Sequence, residues 1–233
     1  MKLGILSESP ADEAALRILL AAVTGTSIEI VQPPLRARGW PNVMQVLPAV
    51  MHHLQFQTDA FGLVVVVDSD DTRLHEADHA DPDKFHPLCR ICQLEMTMRR
   101  ARKRWTLPPG RAPLHVAAGL AVPAVEAWYL CGRDPDVGEA AWWRARERGV
   151  PRYTRRELKL RVYGTMRPSL PLEVRRAEEE ARRLARDIHA LEREFPGGFG
   201  TLARAVRRWG PATFPEVRKP DASSRVPAGT EGS

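Results

Sequence analysis

Residues 62–68 read GLVVVVD, a run with no polar side chain on either face until an acid closes it. β-Branched residues favour extended backbone. A strand apolar on both faces has both faces covered, as in parallel sheets. A chain built around such a strand is confined to α/β architectures, with helices packed on the two sides of the sheet.

The neighbouring segments supply the other elements. Residues 3–7 (LGILS) form a second short buried strand, and SIEIVQ at 27–32 a third. Between them Ser9 is a good N-cap, Pro10 suits the first helical position, Leu16, Leu19, Leu20 and Val23 repeat at helical spacing, and Gly25 ends the helix. PPLRARGWPN reads as a loop, and residues 42–56 as a helix kinked or broken at Pro48. Residues 69–86, with His75, His79 and His86, read as a long loop over the acidic edge of the sheet. Residues 86–105 read as a helix with an apolar stripe through Leu88, Ile91, Leu94 and Met98. PLHVAAGL at 113–120 is a fourth strand, and VPAVEAWYLCG at 122–132 a helix opened by Pro123 and closed by Gly132.

Residues 1–132 thus form an α/β domain, a parallel sheet of about four strands flanked by helices. Residues 133–214 carry only helical patterns, including one long charged helix from about 172 to 195 with a stripe of Leu184, Ile188, Leu191 and Phe195; they form a helical extension packed on the first domain. Residues 215–233 lack apolar pattern and read as a disordered tail.

Right-handed crossovers put the C-terminal ends of all parallel strands on one edge, where open sheets bind ligands. The acids gather there. Glu8 follows the first strand, Asp68 and Asp70 close the valine strand, and Glu126 lies one turn into the helix after the fourth. In extended backbone the two aspartates of a DxD pair share a face. Hard oxygen donors in this number suit Mg²⁺ or Mn²⁺. Asp12, one turn past Glu8, either joins them or simply serves the Ser9 cap, and Asp71 caps a turn with Thr72.

These motifs resemble the Toprim domain of primases, topoisomerases and OLD-family nucleases. LSESPADEAAL is similar to the Toprim glutamate motif, with Glu8 first and Asp12 last, and DSD at 68–70 to its DxD. VPAVEAW at 122–128 resembles the Pro-x-x-Glu-Ala-Trp signature of the Toprim-like DUF4276 proteins, and LKLRVYG and PGGFGTLARAVRRW resemble their C-terminal part. Ser9 stands where the pattern has glycine. The resemblance implies a metal-dependent nuclease that cuts DNA or RNA in bacterial anti-phage defence, beside an ATPase encoded nearby. Glu8, Asp12, Asp68, Asp70 and Glu126 would hold the metal, Glu8, Asp68 and Asp70 would be catalytic, and Lys159 would steady the transition state. The alternatives are a non-catalytic nucleic-acid-binding or regulatory subunit working with that ATPase, and a phosphotransfer enzyme acting on a small nucleotide. An oligomer is compatible with each.

Charge is divided unevenly. Residues 1–98 hold 7 Lys/Arg against 13 Asp/Glu, and residues 99–233 hold 28 against 16. Arginine suits phosphate contacts, so Arg99, Arg100, Arg102, Lys103 and Arg104 form a candidate nucleic-acid-binding stretch, set against the plainer reading of a solvated helix face. Trp128, Trp142, Trp143 and Tyr129 serve packing or base stacking. His75-x3-His79 followed by Cys89-x2-Cys92 has the ligand types of a zinc site, but in an unusual order, and buried thiols are the commoner state. The PGGFG turn at 196–200 is too weak a signal for a phosphate cradle, and no P-loop motif occurs. Sparse cysteine, no long apolar run and no leader-like start point to the cytoplasm and away from membranes.

Overall fold

The computed structural model describes residues 1–70, 72, 73, 75, 76, 79, 84–150 and 153–209. The Asp71 turn and the 215–233 tail lie outside the described residues. The strands are β1 (Lys2–Ser7), β2 (Glu29–Ile30), β3 (Leu35–Arg36), β4 (Gly62–Asp68) and β5 (His115–Ala121). All pair in parallel, in the order β2-β1-β4-β5. β2 lies beside Lys2 and Leu3, and β3 beside Leu6 and Ser7. The two are stretches of one broken edge, so the loop expected over 33–42 contributes a strand. Every residue of β4 is buried, as its composition requires.

The first helix, α1 (Pro10–Thr24), starts where its sequence dictates. Ser9 Oγ accepts the Asp12 N–H at 3.1 Å, Pro10 fills the first turn, and Gly25 closes the helix with φ +67°. Helix α2 (Trp40–Gln57) runs unbroken through Pro48. Helix α3 (Arg90–Lys103) begins later than expected, with Cys89 at its N-cap. Leu88 is therefore outside the helix and 66% exposed rather than part of the stripe. Helices α4 (Val125–Tyr129), α5 (Glu139–Glu147) and α6 (Arg155–Tyr163) follow; α4 is shorter than the helix expected from Pro123 to Gly132, with Ala124 and Leu130 as its caps. The long charged helix is two: α7 (Leu170–Leu184) and α8 (Ile188–Glu194), separated by a 3-10 turn at Ala185–Asp187. The Asp187 side chain accepts the Ala190 N–H and restarts the helix. The stripe of Leu184, Ile188, Leu191 and Phe195 is buried all the same.

Helix α9 (Phe199–Arg207) lies on β5, and α1 packs against α7 and α9; α2 and α3 pack together against β4 and β5 from the other side. Gly4 faces Leu54 of α2, whereas Gly119 faces Leu202 of α9, so the sheet is covered on both faces. One apolar cluster runs from Leu3 to Trp209 and includes residues of the late helices. Trp128 meets Phe199 edge-on at 5.3 Å, a core contact, and Tyr129 and Trp142 are also buried. That removes three of the four aromatic residues from any stacking role. Among the described residues no helix is long and apolar enough to cross a membrane.

The chain leaves β1 toward one edge and returns through α2 to β4 on the other side of β1. The crevice between the C-terminal ends of β1 and β4 is therefore the topological switch point of the sheet.

Candidate active site

A cavity of about 580 Å³ opens at that switch point. Glu8 enters it from the end of β1, Asp12 from the first turn of α1, Asp68 from the end of β4 and Glu126 from the first turn of α4. Lys159 of α6 lines the same cavity. The fold thus brings together five of the residues singled out from the sequence.

Asp70 is placed differently. The backbone turns at Asp70, with φ +48°, so the pair is not extended. Asp70 instead meets Asp68 through a shared arginine. Arg155 donates through Nη2 to Oδ2 of Asp68 and through Nη1 to Oδ1 of Asp70, the latter at 2.9 Å. Arg90 donates to Oδ2 of Asp70 at 3.0 Å and to the Asp68 carbonyl. The second oxygen of Asp68 accepts the Val125 N–H at 3.1 Å.

The electrostatics are those of crowded carboxylates. Burial pushes Asp12 up to about 7, helped by the charges of Glu126 and Glu8 and opposed by hydrogen bonds from Ser9. Burial also drives Asp68 well above the usual carboxylate range, against Arg155 and with Glu126, Asp12 and Glu8. Glu126 is raised by burial, and Lys159 and Arg155 oppose the shift. Lys159 Nζ stands 3.8 Å from Glu126 and 3.3 Å from Glu173. Acids held this way gain from added positive charge. All the donors are carboxylate oxygens, which fit a hard divalent ion. Arg155 pairs with Asp68 among the cavity acids, whereas Glu126 faces Lys159.

Several residues at the cavity were not singled out from the sequence: Arg36, Arg38, Arg155, Tyr163 and Glu173. One signal was available. Arg155, Lys159 and Tyr163 are spaced i, i+4, i+8 and share a face of α6. Thr154 and Glu157 fix the start of that helix with a reciprocal capping box. Nothing in the pattern of the 33–42 loop marks Arg36 or Arg38.

Arg99, Arg100, Arg102, Lys103 and Arg104 are not at this site. Helix α3 starts beside Asp68 and Asp70 and ends beside the start of β5, where Arg102 donates to the Leu114 carbonyl at 2.7 Å. A helix of 14 residues spans about 20 Å, so the basic run sits at the opposite edge of the sheet. Arg99 lies over the Phe85 ring at 5.3 Å, and basic residues in the last turn suit the helix dipole.

The histidines expected over the acidic edge pack elsewhere as well. His75 Nδ1 is 3.6 Å from Cys89 Sγ and 3.8 Å from Cys92 Sγ, and the His75 and His79 rings are 5.6 Å apart. The PGGFG turn does form an anion cradle, but a residue of the chain fills it. The Gly197 and Gly198 N–H groups donate to the buried Glu139 carboxylate at 2.7 and 2.6 Å.

Fold and cavity together define an α/β protein with helices on both faces of a parallel sheet and a carboxylate-lined crevice at its switch point. No family model, curated protein or solved structure matches the chain.

Proposed function

We propose that the chain is a metal-dependent nuclease of Toprim type, cleaving phosphodiester bonds of DNA or RNA with Mg²⁺ or Mn²⁺. One observation carries the reading: carboxylates from five separate elements, Glu173 of α7 included, line one cavity at the sheet's switch point, ringed by Arg36, Arg38, Arg155 and Lys159. Acids alone would repel a nucleic-acid backbone. Acids with arginines around them hold an ion and the phosphate it activates.

Glu8, Asp12 and Glu126 would hold the ion, and Asp68 would join them once Arg155 lets go. A divalent ion there supplies an acidified water and charge stabilisation for the leaving oxygen. Arg36 and Arg38 orient the phosphate, and Lys159 offsets charge that builds during cleavage. Ser9 uses its hydroxyl on the first turn of α1. The place in phage defence, beside an ATPase, rests on the family resemblance.

The second reading, a nucleic-acid-binding subunit without catalysis, is favoured by the arginines on Asp68 and Asp70, because both acids are neutralised by the chain itself. The test incubates plasmid, single-stranded DNA and total tRNA with the protein and Mg²⁺ or Mn²⁺, alongside Asp68→Ala and Glu8→Ala. The nuclease predicts metal-dependent cutting that both variants lose. Salt-sensitive binding with no cutting in any arm would replace it with the binding subunit. Turnover of a mononucleotide alone would point to phosphotransfer on a small substrate.

A further inference from the structure

Outside the acidic cavity, His75, His79, Cys89 and Cys92 form the one group of metal-ligating side chains, among the described residues, placed to grip an ion as they stand. Their ligand atoms all lie within 4.8 Å of one another. We propose that these four residues form a structural zinc centre that fastens the crossover after β4 to the start of α3.

The geometry matches the ion. Ligands of a tetrahedral zinc, with Zn–S about 2.3 Å and Zn–N about 2.05 Å, place sulfur and nitrogen about 3.6 Å apart. The two separations from His75 Nδ1 are 3.6 and 3.8 Å. A pair of buried thiols packing as small apolar groups has no need of two imidazoles whose nitrogens lie within 4.8 Å of the sulfurs. Two sulfurs and two nitrogens are also the donor set of structural zinc, not of Mg²⁺. Three of the four ligands are enclosed: Cys89 and Cys92 are fully buried and His79 is 3% exposed, while His75 is half-buried. A closed four-ligand set leaves no position for water or substrate, which makes the role structural.

The local chain explains the convergence. Cys89 is the N-cap of α3 and Cys92 sits in its first turn, so the two thiols rise from the same helix start. Arg73 bridges to Cys89 in a parallel β contact, which delivers the following His75 and His79 to the helix. On binding, Zn²⁺ replaces the two thiol protons, which leave to solvent, and takes one lone pair from each imidazole.

The centre also bears on the acidic cavity. Arg90, between the two cysteines, holds the Asp68 carbonyl and the Asp70 carboxylate and lies over the Trp40 ring at 5.1 Å. Fixing the start of α3 fixes Arg90.

The test uses the full chain, purified under reducing conditions without chelator, with metal content measured by mass spectrometry. Zinc at one ion per chain is expected. Chelator-stripped protein titrated with Co²⁺ should develop the thiolate charge-transfer bands and the intense visible bands of a tetrahedral site. Cys92→Ser and His79→Ala should lower the Co²⁺ affinity read from the thiolate bands by ~100-fold or more, whereas Glu126→Gln in the acidic cavity should leave those bands and their titration midpoint unchanged. Stripped wild-type protein that takes up neither metal stoichiometrically overturns the proposal, as does a cobalt spectrum without thiolate bands. Should the variants fail to fold, the wild-type spectrum decides alone.

Discussion

Arg155 joins Asp68 to Asp70 through one guanidinium, Nη1 standing 2.9 Å from Oδ1 of Asp70 while Nη2 binds Oδ2 of Asp68. On the proposed function a divalent ion at the cavity would also call on Asp68, so arginine and ion would compete for that carboxylate. Arg155→Ala should tighten Mn²⁺ binding by about tenfold, or ~1.4 kcal/mol, in calorimetry, while lowering the melting temperature of the metal-free protein. Weaker binding would mean that Arg155 gathers the acids for the metal instead.

Asp12 offers a second test of the same crowding. Its carboxyl is held at about 7 against an ordinary 3.8. Below 3.8 it is protonated folded or unfolded; as pH rises to 7 the unfolded chain ionises first, so its contribution to stability falls over that window and stays low above it. Asp12→Asn removes the penalty and keeps the Ser9 cap, whose donor is the backbone N–H. The metal-free variant should be more stable than wild type at pH 8, by on the order of 2–4 kcal/mol. The gain should shrink as pH falls from 7 toward 3.8. Denaturant titrations across that range read it directly, and a pH-independent difference would refute it. The variant should also lose most of the stabilisation that Mn²⁺ gives wild type.

Glu139 separates burial from metal chemistry. As the first residue of α5 it faces the Gly197–Gly198 turn, away from the cavity acids, with burial raising its carboxyl to about 7 and the two glycine N–H groups pulling it back. From 4.5 up to 7 the unfolded chain gives up this proton before the folded one does, so stability declines with rising pH and levels off above 7. Glu139→Gln should flatten that slope by on the order of 2–3 kcal/mol over the window, whatever it does to the absolute level. Gly198→Ala probes the same cradle sterically. An added methyl would press on the Leu120 carbonyl and Glu139 Oε1, at a cost of about 2 kcal/mol or more in an unfolding titration.

How far the sequence could be read follows from where its signals are local. GLVVVVD announces a doubly covered strand, and Ser9, Pro10 and Gly25 announce a helix with both ends marked, because each signal acts through its own backbone. The break between α7 and α8 carries neither proline nor glycine; its single cue, Asp187 as a cap, is hidden among charged neighbours. β3 is two residues of edge pairing in a proline-rich stretch, too short for periodicity. Glu8, Asp68 and Glu126 were placed by topology, since strand ends of a parallel sheet share an edge. Arg155 and Arg36 were not, because an arginine reaching an acid looks in sequence like one reaching water. Asp70 departed from the DxD geometry because the strand ends at Asp68 and the backbone turns. The His/Cys group was visible as spacing, but its closure depends on the start of α3 falling at Cys89, and helix starts are the least certain part of any pattern.

The placement of positive charge yields the last prediction. Arg36 and Arg38 line the acidic cavity, whereas Arg99 and Arg100 stand at the far end of α3. If the polyanion is engaged at the cavity, phosphate neutralisation falls to the first pair. Each phosphate that goes without its arginine reduces the slope of log K against log salt by about 0.7–0.9. An Arg36→Ala, Arg38→Ala double variant should weaken binding of a short single-stranded oligonucleotide and flatten its salt slope by about 1.5. An Arg99→Ala, Arg100→Ala double variant should change neither, with Arg102 kept because it holds the Leu114 carbonyl. Fluorescence anisotropy at several salt concentrations distinguishes the two. The reverse result would move the nucleic-acid path to the opposite edge of the sheet and detach it from the acids.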